Sequence, residues 1–449
     1  MAVIKKELSY LIRLGSPILV AQFCQTAVGV VDTIMAGNYG ANDLAAVALG
    51  YAIWLPVMLA MMGLLMSATP LVAHVMGEKK EREAGLWLQQ SLWMALILGG
   101  LIFLLLNNVD ILFAWFEVPD KFNVISSQYL AAIACGMPAM ALYQSWRSFN
   151  EGIERTRIIM YVGVVSFLLN IPLNYVFIYG HFGFPRLGGV GCGVASALVF
   201  WFSALYLWAY TRLRHHPASE LAFKGGQWPQ WLKQKKLFLL GLPIAISLFA
   251  EVGMFACIAL LLAYAGETVI AAHQIALNVS GVLFMIPLSI SMAITIRVGF
   301  LAGSKQFEMA RFSRKVGQGL SLVFALCNAG LLVFWGPKIV SFYTPDQAIA
   351  QLAASLLLLA AIYQIPDALQ VTANGALRGY KDTAVPMVML VISYWACALP
   401  FGWYFSRVEW QGELLLAHGY WWALVLALSI ATVLLSLRLF WREKKVSGF

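Results

Sequence analysis

Charged side chains are scarce in this chain of 449 residues. Asp, Glu, Lys and Arg together make up 11 % of it, whereas about 25 % is usual for soluble domains. Hydrophobic residues make up 61 %, and the mean hydropathy is +0.78. This composition excludes a water-soluble protein. Because about 20 apolar residues cross a bilayer, the chain is long enough for about twelve membrane-spanning helices.

The chain also lacks the cysteine and histidine spacings of a metal or redox site. Its six cysteines stand singly inside apolar runs, without a CxxC pair and without histidine at a zinc-ligand spacing. We interpret them as small buried hydrophobic side chains. We expect no cofactor and no metal beyond a transported ion. Nucleic acid is not expected as a partner, because the net charge of +9 lies in short segments between apolar runs.

Twelve apolar runs, bounded by charges and by Gly, Pro and Asn, account for most of the chain. A membrane-spanning backbone must satisfy its own hydrogen bonds, and these runs do not show the alternation of barrel strands. The sequence therefore predicts an all-α integral membrane protein. The predicted spans are residues 11–36, 46–70, 86–106, 124–146, 158–179, 189–210, 237–264, 270–296, 313–335, 347–370, 384–406 and 415–437.

Basic residues are nearly absent from one set of loops between these spans. Twelve spans place both termini on the same side of the membrane, so the loops divide into two sets. The positive-inside rule predicts that the termini and the basic loops are cytoplasmic. Of the 30 Lys and Arg residues, the opposite set of loops holds only Lys121, Arg186, Lys338 and Arg407.

The two halves of the chain repeat one another. The repeat predicts two six-helix lobes, residues 1–210 and 237–449, joined by a basic loop at 211–236. Because each lobe has an even number of spans, a pseudo-two-fold axis along the membrane normal would relate the lobes. Parallel repeats of this kind favour a transporter. The aligned segments are 11–84 with 237–310 at an offset of 226, 149–160 with 376–387 at 227, and Pro172 with Pro400 at 228.

Three acids, Asp32, Glu251 and Asp367, remain inside predicted spans, and we assign no Lys or Arg to mid-span. An ionisable group there costs about 2.5 to 3.5 kcal/mol and is a functional hypothesis by default. The alternative is a protonated acid that is hydrogen-bonded in the core. The repeat does not share these acids, because it aligns them with Ile258, Gln25 and Met140.

Glu251 and Asp367 are predicted at similar depths in the membrane. Two close carboxylates repel in a low dielectric, so either one is protonated or a cation lies between them. Tyr363 lies one helical turn before Asp367, and Pro366 leaves a backbone carbonyl without its usual donor. Asn278 could add an amide oxygen, although an Asn between helices is as often a plain packing contact.

A second polar group is predicted in the N-terminal half. Asn170 and Asn174 are spaced i, i+4 on the fifth span, and Ser196 on the sixth could join them to Asp32. Hydrogen bonds that only pack helices are the alternative. His273 could titrate near neutral pH, but a structural polar contact is favoured.

Five segments stand out in order along the chain, at residues 31–37, 169–175, 189–195, 271–278 and 377–383. They are similar to the multidrug and toxic compound extrusion (MATE) family, in its NorM-like branch. The resemblance implies a twelve-helix antiporter of the bacterial inner membrane, a monomer that exports cationic or amphiphilic drugs and dyes in exchange for Na+ or H+. It assigns Glu251, Asp367, Tyr363 and Asn278 to a cation site and Asp32, Asn170, Asn174 and Ser196 to a polar site, where the family is expected to carry Thr at position 196.

Other function classes fit less well. A flippase for lipid-linked sugars would need a cationic cavity for pyrophosphate, and we expect no buried Arg or Lys. An integral-membrane enzyme would need clustered His, Asp, Ser or Cys at one membrane face, and a channel would need a selectivity ring. The sequence contains neither pattern. Its many aromatic and Met residues suit a cavity for bulky apolar cations.

Overall fold

A computed structural model describes residues 2–109, 120–214, 216–223, 226–410 and 413–447. Within these residues, twelve helices are long and apolar enough to cross a membrane, which confirms the predicted all-α fold with twelve spans. The chain divides into two compact units. We call Ser16–Ala245 the N-terminal unit, and Met1–Gly15 with Ile246–Phe449 the C-terminal unit.

Among the described residues, eight helices precede the middle of the chain. The second span is interrupted by a turn at Met66 and Ser67, and a short helix lies in the predicted basic loop. The helices are α1 (Ala2–Tyr39), α2 (Ala41–Leu65), α3 (Ala68–Gly77), α4 (Glu81–Asn107), α5 (Asp120–Gly152), α6 (Arg157–Tyr179), α7 (Gly189–Leu213) and α8 (Pro217–Phe223).

The remaining helices follow the loop. They are α9 (Trp231–Leu261), α10 (Glu267–Gly303), α11 (Phe307–Ser341), α12 (Gln347–Gly379), α13 (Ala384–Val391), α14 (Leu399–Phe405) and α15 (Ala417–Ser447). A 3₁₀ turn at Ala263–Ala265 follows α9, and a π-helical segment at Ile392–Ala398 joins α13 to α14. Two short strands that the sequence did not predict, β1 (Glu409–Trp410) and β2 (Glu413–Leu414), pair antiparallel before α15.

The internal repeat reappears in the helix bounds. The starts of α2 and α10, of α4 and α11, of α5 and α12, of α6 and α13, and of α7 and α15 differ by 226 to 228 residues. Turns repeat as well. Lys79 and Lys305 both have φ of 59°, and Glu154 and Lys381 have φ of 62° and 59°. This left-handed conformation is uncommon outside glycine, so its recurrence indicates that both halves end their helices in the same way.

The units defined by contacts differ from the predicted lobe boundaries at 210 and 237. The first turns of α1 belong to the C-terminal unit, because Glu7 accepts a hydrogen bond from Arg297 Nε at 2.7 Å and the guanidinium lies 4.1 Å from the Tyr10 ring centroid. Residues up to Ala245 on α9 belong to the N-terminal unit. The lobe boundaries, which follow the sequence repeat, stay a prediction.

Each unit has its own buried core. Phe149 is among the largest fully buried side chains of the N-terminal unit, and Trp421 and Tyr394 are among those of the C-terminal unit. Cys192 is buried as predicted, but the prediction is wrong for Cys135 and Cys327, which are exposed. Burial of an apolar side chain depends on which face of its helix it occupies, and a uniformly apolar run does not indicate that face.

Candidate functional site

In the N-terminal unit, the structure brings the four predicted polar residues together. Asp32 on α1 accepts hydrogen bonds at Oδ1 from Asn170 Nδ2 at 3.1 Å and from Asn174 Nδ2 at 2.5 Å. Ser196 Oγ donates to Oδ2 of the same carboxylate at 3.1 Å. Both oxygens of Asp32 therefore have protein donors.

The helical spacing of these donors explains why they converge. Asn170 and Asn174 lie one turn apart on α6 and are fully buried, and Asn174 also donates to Asn170 Oδ1 at 3.0 Å. On α7, Cys192 lies one turn before Ser196, and its thiol lies 3.7 Å from the backbone carbonyl oxygen of Asp32. Two neighbouring helices thus fix the position of the carboxylate on α1.

Aromatic side chains that the sequence did not single out lie near Asp32. Tyr51 and Tyr129 are both close enough to the carboxylate to interact with it electrostatically. Trp54 Nε1 donates to the Tyr129 hydroxyl at 3.1 Å, and its ring meets Tyr51 edge to face at 5.4 Å between centroids. A carboxylate beside aromatic rings is a suitable environment for an organic cation.

In the C-terminal unit, the structure brings together three of the four residues predicted for the cation site. Asp367 and Tyr363 lie one turn apart on α12 and are 1 % and 6 % exposed. Glu251, on α9, lies within electrostatic range of both. Two carboxylates and one phenol oxygen therefore lie close together, with Asp367 and Tyr363 buried and Glu251 half-buried.

The fourth residue, Asn278, does not join this group directly. It lies on α10, its side chain is exposed, and it makes no hydrogen bond to any residue that the structure describes. Its predicted role as an ion ligand stays a prediction.

Several buried polar atoms of the C-terminal unit have no hydrogen-bond partner within the described part of the chain. They include Oδ2 of Asp367, both amide atoms of Gln364 and both ring nitrogens of His273. The rings of His273 and Tyr363 both meet Trp421 edge to face, with centroids at 6.1 and 5.8 Å. Unpaired buried polar atoms are rare in proteins, so this region has unused capacity to bind a cation or water.

Two further residues lie within electrostatic range of Glu251, and neither was predicted from the sequence as part of the site. Arg378, near the end of α12, interacts with Glu251 and Tyr394. Tyr394 is 1 % exposed and lies in the π-helical segment. Such segments frequently mark functional sites. A π-helical turn holds one residue more than an α-helical turn. The sequence signal for it is the repeat offset, which rises from 227 to 228 between residue 387 and Pro400.

A buried ion pair in the N-terminal unit corrects the expectation that no Arg or Lys is buried. Arg147 is 1 % exposed, and its Nε donates to Glu151 Oε1 at 2.9 Å on the same helix. Its guanidinium also donates to Gln22 Oε1 at 3.3 Å, and Thr69 Oγ1 donates to Glu151 Oε2 at 3.2 Å. The predicted span ended at residue 146 because charges follow, but the helix continues since these charges satisfy one another.

Comparisons with known protein sequences agree with this organisation. The model of a family described as MatE matches residues 17–176 and again 243–404, so it covers both halves of the repeat. The Multidrug resistance protein NorM of Aliivibrio fischeri is 40 % identical over 440 residues, which cover 98 % of this chain and 96 % of that protein. The Multidrug resistance protein PmpM of Pseudomonas aeruginosa is 42 % identical over 438 residues, which cover 97 % and 92 %.

Solved structures share the fold at lower sequence identity. A crystal structure of the eukaryotic MATE transporter AtDTX14 matches with a TM-score of 0.87 at 15 % identity and covers 99 % of each chain. The Vibrio cholerae MATE transporter VcmN in its bent form matches with a TM-score of 0.87 at 16 % identity and covers 100 % of this chain and 99 % of that one.

Proposed function

Because this chain belongs to the MATE family of membrane transporters, we propose that it exports cationic or amphiphilic drugs and dyes in exchange for Na+ or H+. The prediction of a transporter rather than an enzyme is confirmed by the family. The names of the relatives, which are called multidrug resistance proteins, support drugs as the substrate class.

The observation that carries this proposal is the acid pair of the buried Asp367 and the half-buried Glu251. Arg378 interacts with Glu251 but not with Asp367. Because two carboxylates and one guanidinium in a low dielectric leave one negative charge unpaired, we infer that the pair takes up a proton or a cation. Asp367 Oδ2 has no donor within the described residues and is therefore available to either. Tyr363, one turn away, adds an oxygen of the type that a hard cation prefers.

The polar group around Asp32 is proposed to attract the drug or to carry a proton. Its three donors stabilise the negative charge of the carboxylate, and Tyr51 and Trp54 provide aromatic surface beside it. A half-buried negative charge next to aromatic rings favours a lipophilic cation over an anion.

Exchange follows if the drug and the coupling cation favour different arrangements of the protein. A cation that enters the acid pair lowers its negative charge, and a cationic drug is attracted to the same negative field when the cation leaves. A ligand shifts a conformational equilibrium only by its difference in affinity for the two states. We infer alternating access on this basis, in a monomer of the bacterial inner membrane whose termini are cytoplasmic and which needs no cofactor.

Efflux of ethidium from proteoliposomes tests the proposal when a Na+ gradient and a pH gradient are imposed separately. The proposal requires that at least one gradient drives efflux and that Glu251→Gln with Asp367→Asn abolishes the driven component. Asp346→Asn is the matched control, because this exposed acid caps the start of α12 and lies outside the pair. Parental efflux in the double variant would contradict the proposal.

Export of a lipid-linked sugar, the alternative transport function, gains no support from the buried Arg147. Its guanidinium is already neutralised by Glu151 and donates to Gln22, so it is not a free cation for a pyrophosphate. Efflux of ethidium without movement of a labelled lipid-linked sugar would separate the two functions.

A further inference from the structure

The backbone of α12 is hydrogen-bonded to its neighbouring helices on one side of a proline only. Hydroxyl groups of α10, α11 and α15 donate to four carbonyl oxygens of α12, and all four lie at Pro366 or beyond it. The bonds run from Thr432 to Pro366 at 2.8 Å, from Ser321 to Ala368 at 3.5 Å, from Ser291 to Val371 at 2.6 Å and from Thr295 to Gly375 at 2.8 Å. Within the described part of the chain, no hydroxyl of another helix donates to an α12 carbonyl at residues 347–365. Pro366 therefore begins the half of α12 that is held by such bonds.

The turn that ends at this proline is the least constrained part of α12. We call residues 362–366 the proline turn. Because proline has no N–H, the carbonyl of Ile362, four residues before Pro366, lacks its usual helical donor. Side chains of neighbouring helices commonly stabilise the backbone around a proline in a membrane-spanning helix. Thr432 of α15 does so at the proline itself, because its hydroxyl donates to the Pro366 carbonyl. This bond therefore ties the proline turn to α15.

The two side chains of α12 that belong to the proposed cation site lie on either side of the proline in sequence. Tyr363 precedes it by three residues, and Asp367 follows it directly. They are also held by different neighbours. The Tyr363 ring meets Trp421 of α15 edge to face, whereas Ala368, next to Asp367, accepts a hydrogen bond from Ser321 of α11. Since a proline allows a helix to bend, the separation of the phenol from the carboxylate depends on the geometry of the proline turn.

We propose that Thr432 is a positioning residue of the cation site, which acts through the Pro366 carbonyl and fixes the separation of Tyr363 from Asp367. Hydrogen bonds outside the ligands themselves orient those ligands and tune the affinity of an ion site. A metal cation binds well only with its oxygen ligands at their preferred distances, and a shared proton needs its two oxygens at hydrogen-bond distance. A looser proline turn therefore weakens the binding of either cation without removing a ligand.

Thr295 separates this role from plain helix packing, which is the other use of a hydroxyl between membrane helices. Its hydroxyl also donates to an α12 carbonyl at 2.8 Å, but the acceptor, Gly375, lies about two turns beyond Asp367. Thr432→Val and Thr295→Val thus remove the same kind of bond to the same helix by the same change of side chain. Only Thr432→Val removes it at the proline turn. A role in packing alone predicts no difference between the two variants in the affinity for the coupling cation.

Ethidium efflux from proteoliposomes tests the proposal when it is titrated against the cation, Na+ or H+, whose gradient drives it. Thr432→Val should raise the half-saturating cation concentration roughly two- to tenfold, the range that one net hydrogen bond gives, and leave the maximal rate unchanged. Thr432→Ala also lacks the hydroxyl and should show the same shift, so it replaces Thr432→Val if that variant does not fold. Thr432→Ser keeps the hydroxyl and should restore the half-saturation of the unaltered protein. Thr295→Val should leave the half-saturation unchanged, whatever it does to the thermal midpoint.

Three results would overturn the role of Thr432 and leave the proposed function intact, because a gradient still drives efflux in each of them. They are an unchanged half-saturation when the hydroxyl is removed, an equal shift in Thr295→Val, and a Thr432→Ser variant that behaves like Thr432→Val. The role of Thr432 rests on the proposed exchange of a drug for a cation. If neither a Na+ nor a pH gradient drove efflux by the unaltered protein, the proposed function would fail and the role of Thr432 would fail with it.

Discussion

The acid sites of the two units are built differently. In the N-terminal unit, both oxygens of Asp32 accept hydrogen bonds, from two asparagines and one serine. In the C-terminal unit, Asp367 lies within electrostatic range of a second acid, Glu251, and its Oδ2 has no partner among the described residues. The first carboxylate is satisfied by fixed protein donors, whereas we propose that the second pair takes up a proton or a cation.

The difference lies in side chains and not in the scaffold. The start of α5 at Asp120 and that of α12 at Gln347 agree with the 227-residue offset, yet the position of Asp367 on α12 is Met140 on α5. The same comparison aligns Glu151, whose charge is paired by Arg147, with Arg378, whose charge faces Glu251. One duplicated framework thus supports two different sites. We call the site of Asp32 closed, because both oxygens of its carboxylate accept hydrogen bonds, and the site of Glu251 and Asp367 open, because one carboxylate oxygen has no partner among the described residues.

The largest expected effect comes from removing the open site. Glu251→Gln with Asp367→Asn should reduce ion-driven ethidium efflux in proteoliposomes on the order of 100-fold, because no charged ligand for the cation remains. Asp32→Asn should reduce efflux less and leave the dependence on the coupling ion intact. If Asp32→Asn removed that dependence and the double variant kept it, the assignments of the two sites would have to be exchanged.

Breaking the buried ion pair of Arg147 and Glu151 tests whether the stability of the N-terminal unit depends on this pair. Arg147→Met leaves Glu151 buried and uncompensated, so it should destabilise the protein by about 3 to 5 kcal/mol. Arg147→Met with Glu151→Gln should restore much of this loss. Thermal unfolding in detergent measures both. Lys80→Gln is the control, because Lys80 is exposed and the loss of its pair with the half-buried Glu78 should not shift the midpoint measurably.

Asn174→Asp makes the closed site resemble the open one. The change replaces a donor to Asp32 with a second carboxylate, and loss of a hydrogen bond to a charged group costs about 1.5 to 3 kcal/mol. One extra cation, either a proton or Na+, should bind per protein, because two close carboxylates cannot both stay charged and unpaired. Asn107→Asp serves as the control, since Asn107 is exposed and donates only to a backbone carbonyl. Unchanged cation stoichiometry in Asn174→Asp would contradict the comparison.

The smallest effect is expected at Tyr394. Tyr394→Phe removes a hydroxyl that interacts with Glu251 and Asp367 but keeps the ring in its buried position. The apparent affinity for the coupling ion should fall about two- to fivefold, in line with one net hydrogen bond, while maximal efflux stays the same. Titration of efflux against Na+ or pH measures this shift, and an unchanged half-saturation would place Tyr394 outside the ion site.

Much of the fold and of both sites could be predicted from the sequence, because a polar residue in an apolar run stands out. Asp32, Asn170, Asn174 and Ser196 were all visible in this way, and the structure joins them by hydrogen bonds. The internal repeat was visible too, and the helix bounds follow its offsets.

Two of the residues that were not predicted lie beyond the end of a predicted span. Arg147 and Arg378 follow predicted spans and were therefore assigned to loops. Both nevertheless belong to α-helices that continue past the end of the predicted span. Their charges are tolerated because Glu151 and Glu251 lie close to them. Tyr394 was missed for another reason, since only the π-helical segment determines which way its side chain faces, and a spacing rule based on 3.6 residues per turn cannot indicate that.

The most direct test of the account counts the coupling cations that saturating ethidium releases from the purified protein, as radioactive Na+ or as protons seen by an indicator. The account predicts that the unaltered protein and Asp32→Asn release cations, whereas Glu251→Gln with Asp367→Asn releases none. Full release from the double variant, with none from Asp32→Asn, would contradict it.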